Sequence, residues 1–380
     1  MTVFGADCNA DCGAQRQTAK RVSLYLGVLT LFNWGIVGTG FVARKFILGL
    51  RASAGGRALA VVSRSAASAN AFATDFGIAS HGDDLAALLA SGVDAVYIAT
   101  PPTAHREQAL AAIAAGKPIL VEKPFAASLA DVQDIAAAAT AAGVFAMEGV
   151  WTRFLPLFGE IRSLLAAGAI GEIRSLEASF GLSNIPDTAD NQFNASLGGG
   201  ALLHRGLYPL ALATGLLGPA RLTASAATIG TTGVDEDCTL LLRHTGGAIA
   251  TLRASMRAPL ANDLRIDGSH GFIHIEAPIY RPFRARIGTT TPTRRTNGHA
   301  RFEALRESSL AQGVQQRFAS VRSGSGRTVT RHFTGNGYHY EADVVMRAVQ
   351  GGARQSDLMP LADSLAIAAL IDEARQSWNP

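Results

Sequence analysis

The feature that most constrains this chain is a regular alternation of apolar runs and helical segments between residues 32 and 150. Five short runs are apolar along most of their length, as buried strands are: 33–37, 58–63, 93–100, 118–122 and 144–148. Alanine-rich segments with helical spacing separate them: 42–50, 66–76, 84–90, 105–115 and 129–141. Strands without a polar face belong to a parallel sheet that is covered by helices on both sides. The alternation therefore predicts a Rossmann-type α/β domain with a doubly wound, mainly parallel sheet.

Beyond residue 150, strands follow one another without helices between them. Two predicted helices, 156–167 and 202–214, precede five predicted strands: 222–227, 238–243, 248–255, 263–267 and 272–276. Helices are predicted again at 338–350 and 361–376, and residues 288–336 show no clear pattern. Such strands, joined by short turns, predict an α+β domain with an open, mainly antiparallel sheet. We expect an N-terminal extension of uncertain order (1–31), a first domain (32–150) and a second domain (151–380).

Composition and charge narrow the class of protein. Hydrophobic residues make up 48% of the 380 residues and charged residues 17%, which is typical of a globular chain that can bury two cores. The formal net charge of +4 does not indicate a nucleic-acid partner. Residues 281–331 hold eleven Arg but only two acidic residues, Glu303 and Glu307. Such a stretch is more often a solvated face than a contact for a polyanion.

The cysteines and the N-terminus bear on the cellular compartment. Cys8, Cys12 and Cys238 are odd in number and cannot form a disulfide framework, which favours a reducing compartment. Cys8 and Cys12 lack a second pair of ligands, so no metal site is expected. The apolar run 22–32 resembles part of a signal peptide, but it is too short to span a bilayer and leads directly into the first strand. We expect a cytoplasmic protein without membrane contact.

A glycine-rich motif, Gly38-Thr39-Gly40-Phe41-Val42-Ala43, follows the first strand and opens a helix. Gly38 suits the tight turn, Gly40 lets the backbone approach a pyrophosphate, and Ala43 allows close helix–strand packing. The helix N-terminus then offers N–H groups and a positive dipole to the phosphates. The motif and its flanking elements predict a dinucleotide site at 38–42, with a structural glycine turn as the alternative.

The end of the second predicted strand bears on which dinucleotide binds. NAD enzymes usually carry Asp or Glu there, which accepts hydrogen bonds from the ribose hydroxyls. This chain has Ser63 and Arg64 instead. Arg can bind a 2′-phosphate through two hydrogen bonds, whereas a carboxylate would repel it. NADP is therefore favoured over NAD, with Arg64 as an ordinary surface cation being the alternative.

Lysine is rare in this chain, and one lysine stands where ligands bind in open α/β sheets. The chain contains four Lys against thirty Arg. Lys123 follows the apolar strand 118–122, at a carboxyl end of the predicted sheet. Lys can lose its proton at attainable pH and Arg cannot, so Lys suits a proton-transfer role. An exposed lysine in a turn is the alternative reading.

The motif Glu122-Lys123-Pro124, together with the two-domain pattern, resembles the Gfo/Idh/MocA oxidoreductases. Within that family the chain is most similar to the branch of dimeric dihydrodiol dehydrogenases and NADP-dependent aldose (xylose) dehydrogenases. The segments 147–154, 199–203 and 234–237 carry this similarity. The resemblance extends from about residue 33 to the C-terminus, and it is less specific for substrate than for family.

The resemblance implies roles for particular residues. Lys123 would contact the substrate hydroxyl and the nicotinamide ribose, and Glu122 would belong to the cofactor site. Tyr208 would be the catalytic tyrosine, with a pKa lowered by the nearby lysine. Trp151 and Arg153 would lie near the substrate pocket. Four residues at the end of the predicted strand 93–100 and just after it would line the nicotinamide: Thr100, Pro101, Pro102 and His105.

One position departs from the family pattern. The family usually has Asp where this chain has His204, followed by a small or apolar residue where this chain has Arg205. His204 can still donate or accept a hydrogen bond in the substrate pocket, but it cannot supply a permanent negative charge. Substrate preference, pH optimum or activity itself could therefore differ from the family norm.

These residues predict an NADP-dependent oxidoreductase that transfers a hydride between nicotinamide and a hydroxyl carbon of a sugar, polyol or trans-dihydrodiol. A non-catalytic NADP-binding sensor and a nicotinamide-dependent glycoside hydrolase on the same fold are the alternatives. Retention of both Lys123 and Tyr208 favours the dehydrogenase over the sensor. An open sheet is expected to leave an apolar face, which relatives cover with a second subunit, so we expect a homodimer or a higher homo-oligomer.

Overall fold

A computed structural model describes residues 31–53, 55–290, 308–314 and 326–378. The predicted N-terminal extension, apart from residue 31, lies outside the described residues, as does the interpretation of Cys8 and Cys12. Much of the region 288–336, for which the sequence predicted no element, also lies outside them. In the described part of the chain, no helix combines the length and the apolar character that a membrane crossing requires.

The first sheet has six parallel strands in the order β3-β2-β1-β4-β5-β6. Its strands are β1 (Phe32–Val37), β2 (Gly56–Val62), β3 (Ser80–Gly82), β4 (Ala95–Ile98), β5 (Ile119–Glu122) and β6 (Ala146–Gly149). Its helices are α1 (Phe41–Leu50), α2 (Ala66–Phe76), α3 (Leu85–Ala90), α4 (Pro102–Ala114) and α5 (Leu129–Ala142). Every residue of β4, β5 and β6 is buried, which is why these strands read as apolar throughout.

The second sheet has eight strands in the order β14-β13-β12-β11-β7-β10-β9-β8. They are β7 (Ile173–Gly181), β8 (Ala220–Ile229), β9 (Asp235–His244), β10 (Ile249–Ser255), β11 (Leu264–Gly268), β12 (Gly271–Ile275), β13 (Arg284–Thr289) and β14 (Gly326–Thr330). Among the described strands of this second sheet, only β7 and β10 pair in parallel, and the other neighbours are antiparallel. The accompanying helices are α6 (Pro156–Ala166), α7 (Leu207–Leu217), α8 (His339–Gln350) and α9 (Leu361–Gln376).

Both predicted sheet types are confirmed, with differences in detail. The sequence predicted one helix over 202–214, but the chain forms a π-helical turn at Leu202–Gly206 before α7. Strands β3, β7, β13 and β14 were not predicted. Strand β3 is only three residues long, and β13 and β14 border the arginine-rich region. None of these four strands contains a long apolar run.

The two C-terminal helices connect the two sheets. Helix α9 packs against α5 beside the first sheet and against α7 and β8 of the second, while α8 contacts α1 and β2. The division into 32–150 and 151–380 stays a prediction, since the last forty residues touch both halves.

The uncovered face of the second sheet is mainly polar, so the expectation of an apolar face is wrong. Helix α7 packs on β7 and β10, where inward side chains such as Leu176 and Leu252 are buried. Most outward positions carry charged or hydroxyl side chains, and three apolar residues, Leu241, Ile249 and Phe272, lie among them: Ser175, Glu177, Thr251, Arg253, Arg265, Asp267 and His274 are the polar ones. Arg265 and Asp267 form an ion pair at 2.7 Å on this face. An oligomer formed here would need a polar interface.

Candidate active site

A cleft of about 850 Å³ lies at the carboxyl ends of the first sheet and faces the second sheet. It is the place where ligands bind in open α/β folds. The predicted site residues that line it are Gly38, Thr39, Gly40, Phe41, Val42, Ser63, Arg64, Thr100, Pro101, Pro102, Glu122, Lys123, His204 and Tyr208. His105, Trp151 and Arg153 do not line it. The fold therefore gathers most of the predicted residues around one space.

The glycine motif forms the floor of the cleft at the N-terminus of α1. Gly38 has φ +106°, and a Cβ there would lie 2.6 Å from the Ala99 carbonyl oxygen, so only glycine fits. A Cβ on Gly40, the N-cap of α1, would meet nothing within 4 Å. That open space lies in front of unpaired helix N–H groups, which is where a pyrophosphate is held. The motif thus fits a dinucleotide.

Ser63 and Arg64 follow β2 at one end of the cleft. The Thr39 hydroxyl donates a hydrogen bond to Ser63 Oγ at 3.3 Å, which ties the glycine motif to the end of the strand. The Arg64 side chain is exposed at the rim. Asp83, which follows β3, also lines the cleft and was not predicted.

The segment after β4 lines the cleft with Thr100, Pro101 and Pro102. His105 lies behind this segment and is almost fully buried. Its two ring nitrogens lie 2.8 Å from the Thr100 carbonyl oxygen and 3.0 Å from that of Pro124. His105 therefore links the loop after β4, which lines the cofactor side of the cleft, to the loop after β5, which carries Lys123. It does not touch a ligand directly.

Lys123 extends from the end of β5 toward the π-helical turn. Its Nζ donates a hydrogen bond to the His204 carbonyl oxygen at 3.1 Å and lies 5.0 Å from the centre of the Tyr208 ring. π-Helical turns change the local hydrogen-bond register and often occur at functional sites. Burial lowers the pKa of Lys123, while Glu122 and Glu148 act in the opposite direction.

Two buried carboxyl groups, Glu122 next to Lys123 in the chain and Glu341 on α8, interact with each other. Glu122 Oε1 accepts a hydrogen bond from the Tyr97 hydroxyl at 2.5 Å, and its Oε2 accepts one from the Lys123 backbone N–H at 3.2 Å. Burial raises the pKa of Glu122 to about 7. Glu341 on α8 is fully buried, and neither of its carboxyl oxygens has a hydrogen-bond partner among the described residues. Burial and the nearby Glu122 raise the pKa of Glu341 well above its usual range.

Tyr208 is buried apart from the part that lines the cleft. Its phenol oxygen accepts a hydrogen bond from the Trp151 indole N–H at 3.3 Å. The expectation that Lys123 would lower the pKa of Tyr208 is wrong, because burial raises this pKa and the Glu122 carboxylate raises it further. Trp151, which stacks on Tyr338 with ring centres 4.8 Å apart, therefore positions Tyr208 from behind.

Arg153 is not a pocket residue. Its guanidinium donates hydrogen bonds to the Ala211 carbonyl and the Thr214 hydroxyl on α7, and to the Asp363 carboxylate on α9 at 2.6 Å. The Arg153 side chain is 2% exposed and holds the two helices together. The resemblance implied that Arg153 would lie near the substrate pocket, but its side chain points away from the cleft.

His204 presents its ring to the cleft from the π-helical turn. Its Nε2 is buried and has no hydrogen-bond partner among the described residues. Burial lowers the pKa of His204 to about 3, and the positive charge of Lys123 acts in the same direction, while a hydrogen bond with the Gly198 backbone opposes both. The ring is therefore neutral at physiological pH.

Sequence reasoning missed most of the wall opposite the glycine motif. The unpredicted residues on the side of the second sheet are Phe180, Leu182, Asn184, Asp190, Asn191, Gln192, Arg205 and Tyr280. Several lie in an irregular segment with short 3-10 turns at Asn191–Phe193 and Ala195–Leu197. Its richness in Asn, Asp and Gln was the available signal, as was Arg205 at a position usually small or apolar.

The fold and the cleft together define an oxidoreductase with an NAD(P)-binding Rossmann domain. Residues 32–150 match the family model described as oxidoreductase family, NAD-binding Rossmann fold, and residues 158–274 match the GFO/IDH/MocA C-terminal domain. The chain belongs to the Gfo/Idh/MocA oxidoreductase family.

Named relatives give the same assignment. The chain is 30% identical over 353 residues to trans-1,2-dihydrobenzene-1,2-diol dehydrogenase of Xenopus tropicalis, covering 90% of this chain and 97% of the relative. A 3-ketoreductase from Actinomadura kijaniata, solved with NADP and TDP-benzene, is 25% identical with a TM-score of 0.74 and covers 91% of this chain and 98% of its own. An aldose-aldose oxidoreductase from Caulobacter crescentus shares the fold at 22% identity and a TM-score of 0.75, with the same coverage.

Proposed function

We propose that the protein is an NADP-dependent dehydrogenase that oxidises a hydroxyl carbon of a sugar, polyol or trans-dihydrodiol. The observation that carries this proposal is the position of Lys123 and Tyr208, which meet in the same cleft as the glycine motif. The names of relatives, a dihydrodiol dehydrogenase and an aldose-aldose oxidoreductase, support this range of substrates.

The cofactor would lie along the carboxyl edge of the first sheet. The open space at Gly40 would take the pyrophosphate, and Thr100, Pro101 and Pro102 would flank the nicotinamide. Ser63 and the exposed Arg64 would hold a 2′-phosphate, which is why NADP is proposed. When bound, the nicotinamide supplies the acceptor for the hydride that leaves the substrate carbon.

Lys123 and Tyr208 would handle the hydroxyl proton. Because its pKa is raised, Tyr208 keeps its proton near neutral pH. The phenol oxygen already accepts from Trp151, so the Tyr208 O–H is left to donate a hydrogen bond to the substrate oxygen. Lys123, whose pKa is lowered by burial, is the group that can accept the hydroxyl proton and release it to solvent.

His204 would orient the substrate rather than take its proton. A base with a pKa of about 3 is too weak to accept a hydroxyl proton near neutral pH. Its neutral ring nitrogen Nε2 has an unpaired acceptor lone pair but is buried, so a rotation of the ring toward the cleft would let it accept a hydrogen bond from a second substrate hydroxyl. This role replaces that of the usual family Asp without its negative charge.

The organisation of the protein follows from this assignment. We propose that residues 32–150 bind the cofactor, and that residues 151–380 bind the substrate and form a homodimer through the open face of the second sheet. We propose a cytoplasmic location as well, because the odd number of cysteines favours a reducing compartment.

The test is a screen of aldoses, polyols and trans-dihydrodiols for NADPH formation by absorbance, repeated with NAD. Net NADPH formation with one of these classes is the expected result. Substrate cleavage without net NADPH would indicate the glycoside hydrolase, and tight NADP binding without any turnover would indicate the sensor. Either result would contradict the proposal.

A further inference from the structure

Arg205 holds together the wall of the cleft that faces the glycine motif. It follows His204 in the π-helical turn and is 4% exposed. Its Nη1 donates hydrogen bonds to the backbone carbonyls of Leu182, at 2.6 Å, and Ser255, at 2.8 Å. Its Nη2 donates to Asn184 Oδ1 at 2.6 Å and to Gln192 Oε1 at 3.3 Å. These four acceptors occupy the N–H groups of both terminal nitrogens, so Arg205 has no terminal N–H group left to bind an anionic substrate.

The guanidinium fixes which way the two amides point. Arginine is only a donor, so the oxygens of Asn184 and Gln192 must face it and their NH₂ groups must point away. Both residues line the cleft. Gln192 Nε2 donates to Asp190 Oδ2 at 3.3 Å, whereas Asn184 Nδ2 has no protein partner among the described residues. The amide of Asn184 is thus left with N–H donors for a ligand.

We propose that Arg205 and the two amides it orients, Asn184 and Gln192, form a donor wall that selects a polyhydroxylated substrate, a sugar or polyol, over a dihydrodiol with an apolar ring. Arg205 is the positioning residue, and Asn184 makes the substrate contact. This inference rests on the proposed dehydrogenase function, because it states which of the proposed substrate classes the cleft prefers.

The preference follows from the cost of unpaired polar groups. A sugar oxygen that accepts from Asn184 replaces the water that the amide loses when the cleft is filled. An apolar ring in the same place removes the water without replacing the hydrogen bond, which is unfavourable. The stacked rings of Phe180 and Tyr280, 5.2 Å apart, offer an apolar surface to the C–H face of either substrate and do not discriminate.

The experiment compares kcat and KM for an aldopyranose and for trans-1,2-dihydrobenzene-1,2-diol, with NADP saturating. Wild type should prefer the aldose. Asn184→Asp keeps an oxygen for Arg205 but removes both N–H donors, so the KM for the aldose should rise roughly 3- to 30-fold while that for the dihydrodiol changes less. The Arg205→Met variant should also lose the preference for the aldose, because the Asn184 and Gln192 amides are no longer oriented by the guanidinium.

The matched control is Arg257→Met. Arg257 lies just beyond the end of β10, two residues from Ser255, forms an ion pair with Glu236 and does not line the cleft. The Arg257→Met substitution removes one guanidinium from the same region and should leave the ratio of the two kcat/KM values, for the aldose and for the dihydrodiol, unchanged. NADP affinity, measured by calorimetry, should be the same in all variants.

The inference is overturned if wild type prefers the dihydrodiol to every aldose and polyol, or if Asn184→Asp raises both KM values equally. If Arg205→Met does not fold, as judged by circular dichroism, Asn184→Asp still decides between these outcomes. Failure of all substrate classes to yield NADPH would contradict the proposed function itself, and the inference would fall with it.

Discussion

Burial acts in opposite directions on the pKa values of Lys123 and Tyr208, and this difference divides their roles. It lowers the pKa of the amine and raises that of the phenol, because in each case the charged form is disfavoured. In the proposed mechanism the tyrosine therefore remains a hydrogen-bond donor, and the lysine is the group that changes protonation. The sequence predicted that Lys123 and Tyr208 act together, but it predicted a lowered rather than a raised pKa for Tyr208.

We expect Tyr208→Phe to lower turnover by about 10²- to 10⁴-fold, the usual contribution of a positioned acid or base, while NADP affinity is retained. Lys123→Met should be at least as damaging, and the double variant little worse than the more damaging single one. The pH profile of kcat/KM for oxidation should persist in Tyr208→Phe and disappear in Lys123→Met. Near-wild-type rates for Tyr208→Phe on a confirmed substrate would contradict this mechanism.

His204 gives a finer check on the same site. His204→Asp keeps a hydrogen-bond acceptor at this position, as in the usual family pattern, whereas His204→Leu removes it. The Asp variant should therefore retain more activity than the Leu variant in the NADPH assay.

Glu341 should make the stability of the folded protein pH-dependent. An unfolded chain ionises this carboxyl above about pH 4.3, but the folded protein keeps it protonated, so the folded state binds more protons and its stability falls as pH rises. Glu341→Gln removes this dependence. The variant should gain up to about 1.4 kcal/mol of unfolding free energy relative to wild type for each pH unit above the pKa of the unfolded chain, as long as the folded carboxyl stays protonated. Urea unfolding of both proteins at several pH values measures this difference in unfolding free energy.

Glu107→Gln is the matched control for Glu341→Gln, since it removes an exposed carboxylate from α4, away from the proposed dimer interface. A gap between Glu341→Gln and wild type that does not change with pH would contradict the buried, protonated state of Glu341.

Arg64 tests the choice of cofactor. Arg64→Ala should weaken NADP binding about tenfold or more, the typical loss for a charge-assisted hydrogen bond, with a smaller effect on NAD. Calorimetry with both dinucleotides measures the two changes. Tighter binding of NAD than of NADP by the unmodified protein would show that Ser63 and Arg64 do not recognise a 2′-phosphate.

At the scale of elements, two glycines of one motif should respond differently to substitution. Gly38→Ala forces a side chain into a left-handed conformation against the Ala99 carbonyl and should cost about 1–3 kcal/mol of stability. Gly40 has φ −73° and open space around it, so Gly40→Val should change stability by less than about 1 kcal/mol. It should nevertheless abolish measurable NADP binding, because its side chain occupies the pyrophosphate space. Thermal unfolding and calorimetry separate the two effects, and full NADP affinity in Gly40→Val would contradict the placement.

Elements with a strong periodic signal were predictable, and elements without one were not. Helices α2 and α9 occur at the predicted residues, because their apolar spacing and flanking turns are local properties. Strand β7 lies at the centre of the second sheet and was missed. Its alternation of buried Leu176 and Ala178 with polar residues is a strand signal, but it is short and is not accompanied by a long apolar run. The π-helical turn was missed because a widened turn leaves no mark on helical periodicity.

At the scale of the whole molecule, we expect a homodimer held by a polar interface. Light scattering at micromolar concentration should give twice the chain mass of 39.6 kDa. Because the open face of the second sheet carries mainly charged and hydroxyl side chains, raising the salt concentration should weaken the dimer. A monomer mass at low salt, or a dimer that is indifferent to salt, would contradict an interface on this face.

The sequence by itself determined the two sheet types, the glycine motif and the candidate residues at strand ends. These follow from local rules: apolar periodicity, the backbone freedom of glycine and the position of a polar residue after a buried strand. Only the tertiary structure decided that Arg153 turns away from the cleft, that burial raises the pKa of Tyr208, and that Arg205 orients Asn184. Each of these depends on which groups distant in sequence surround a side chain, and on how much water they exclude from it.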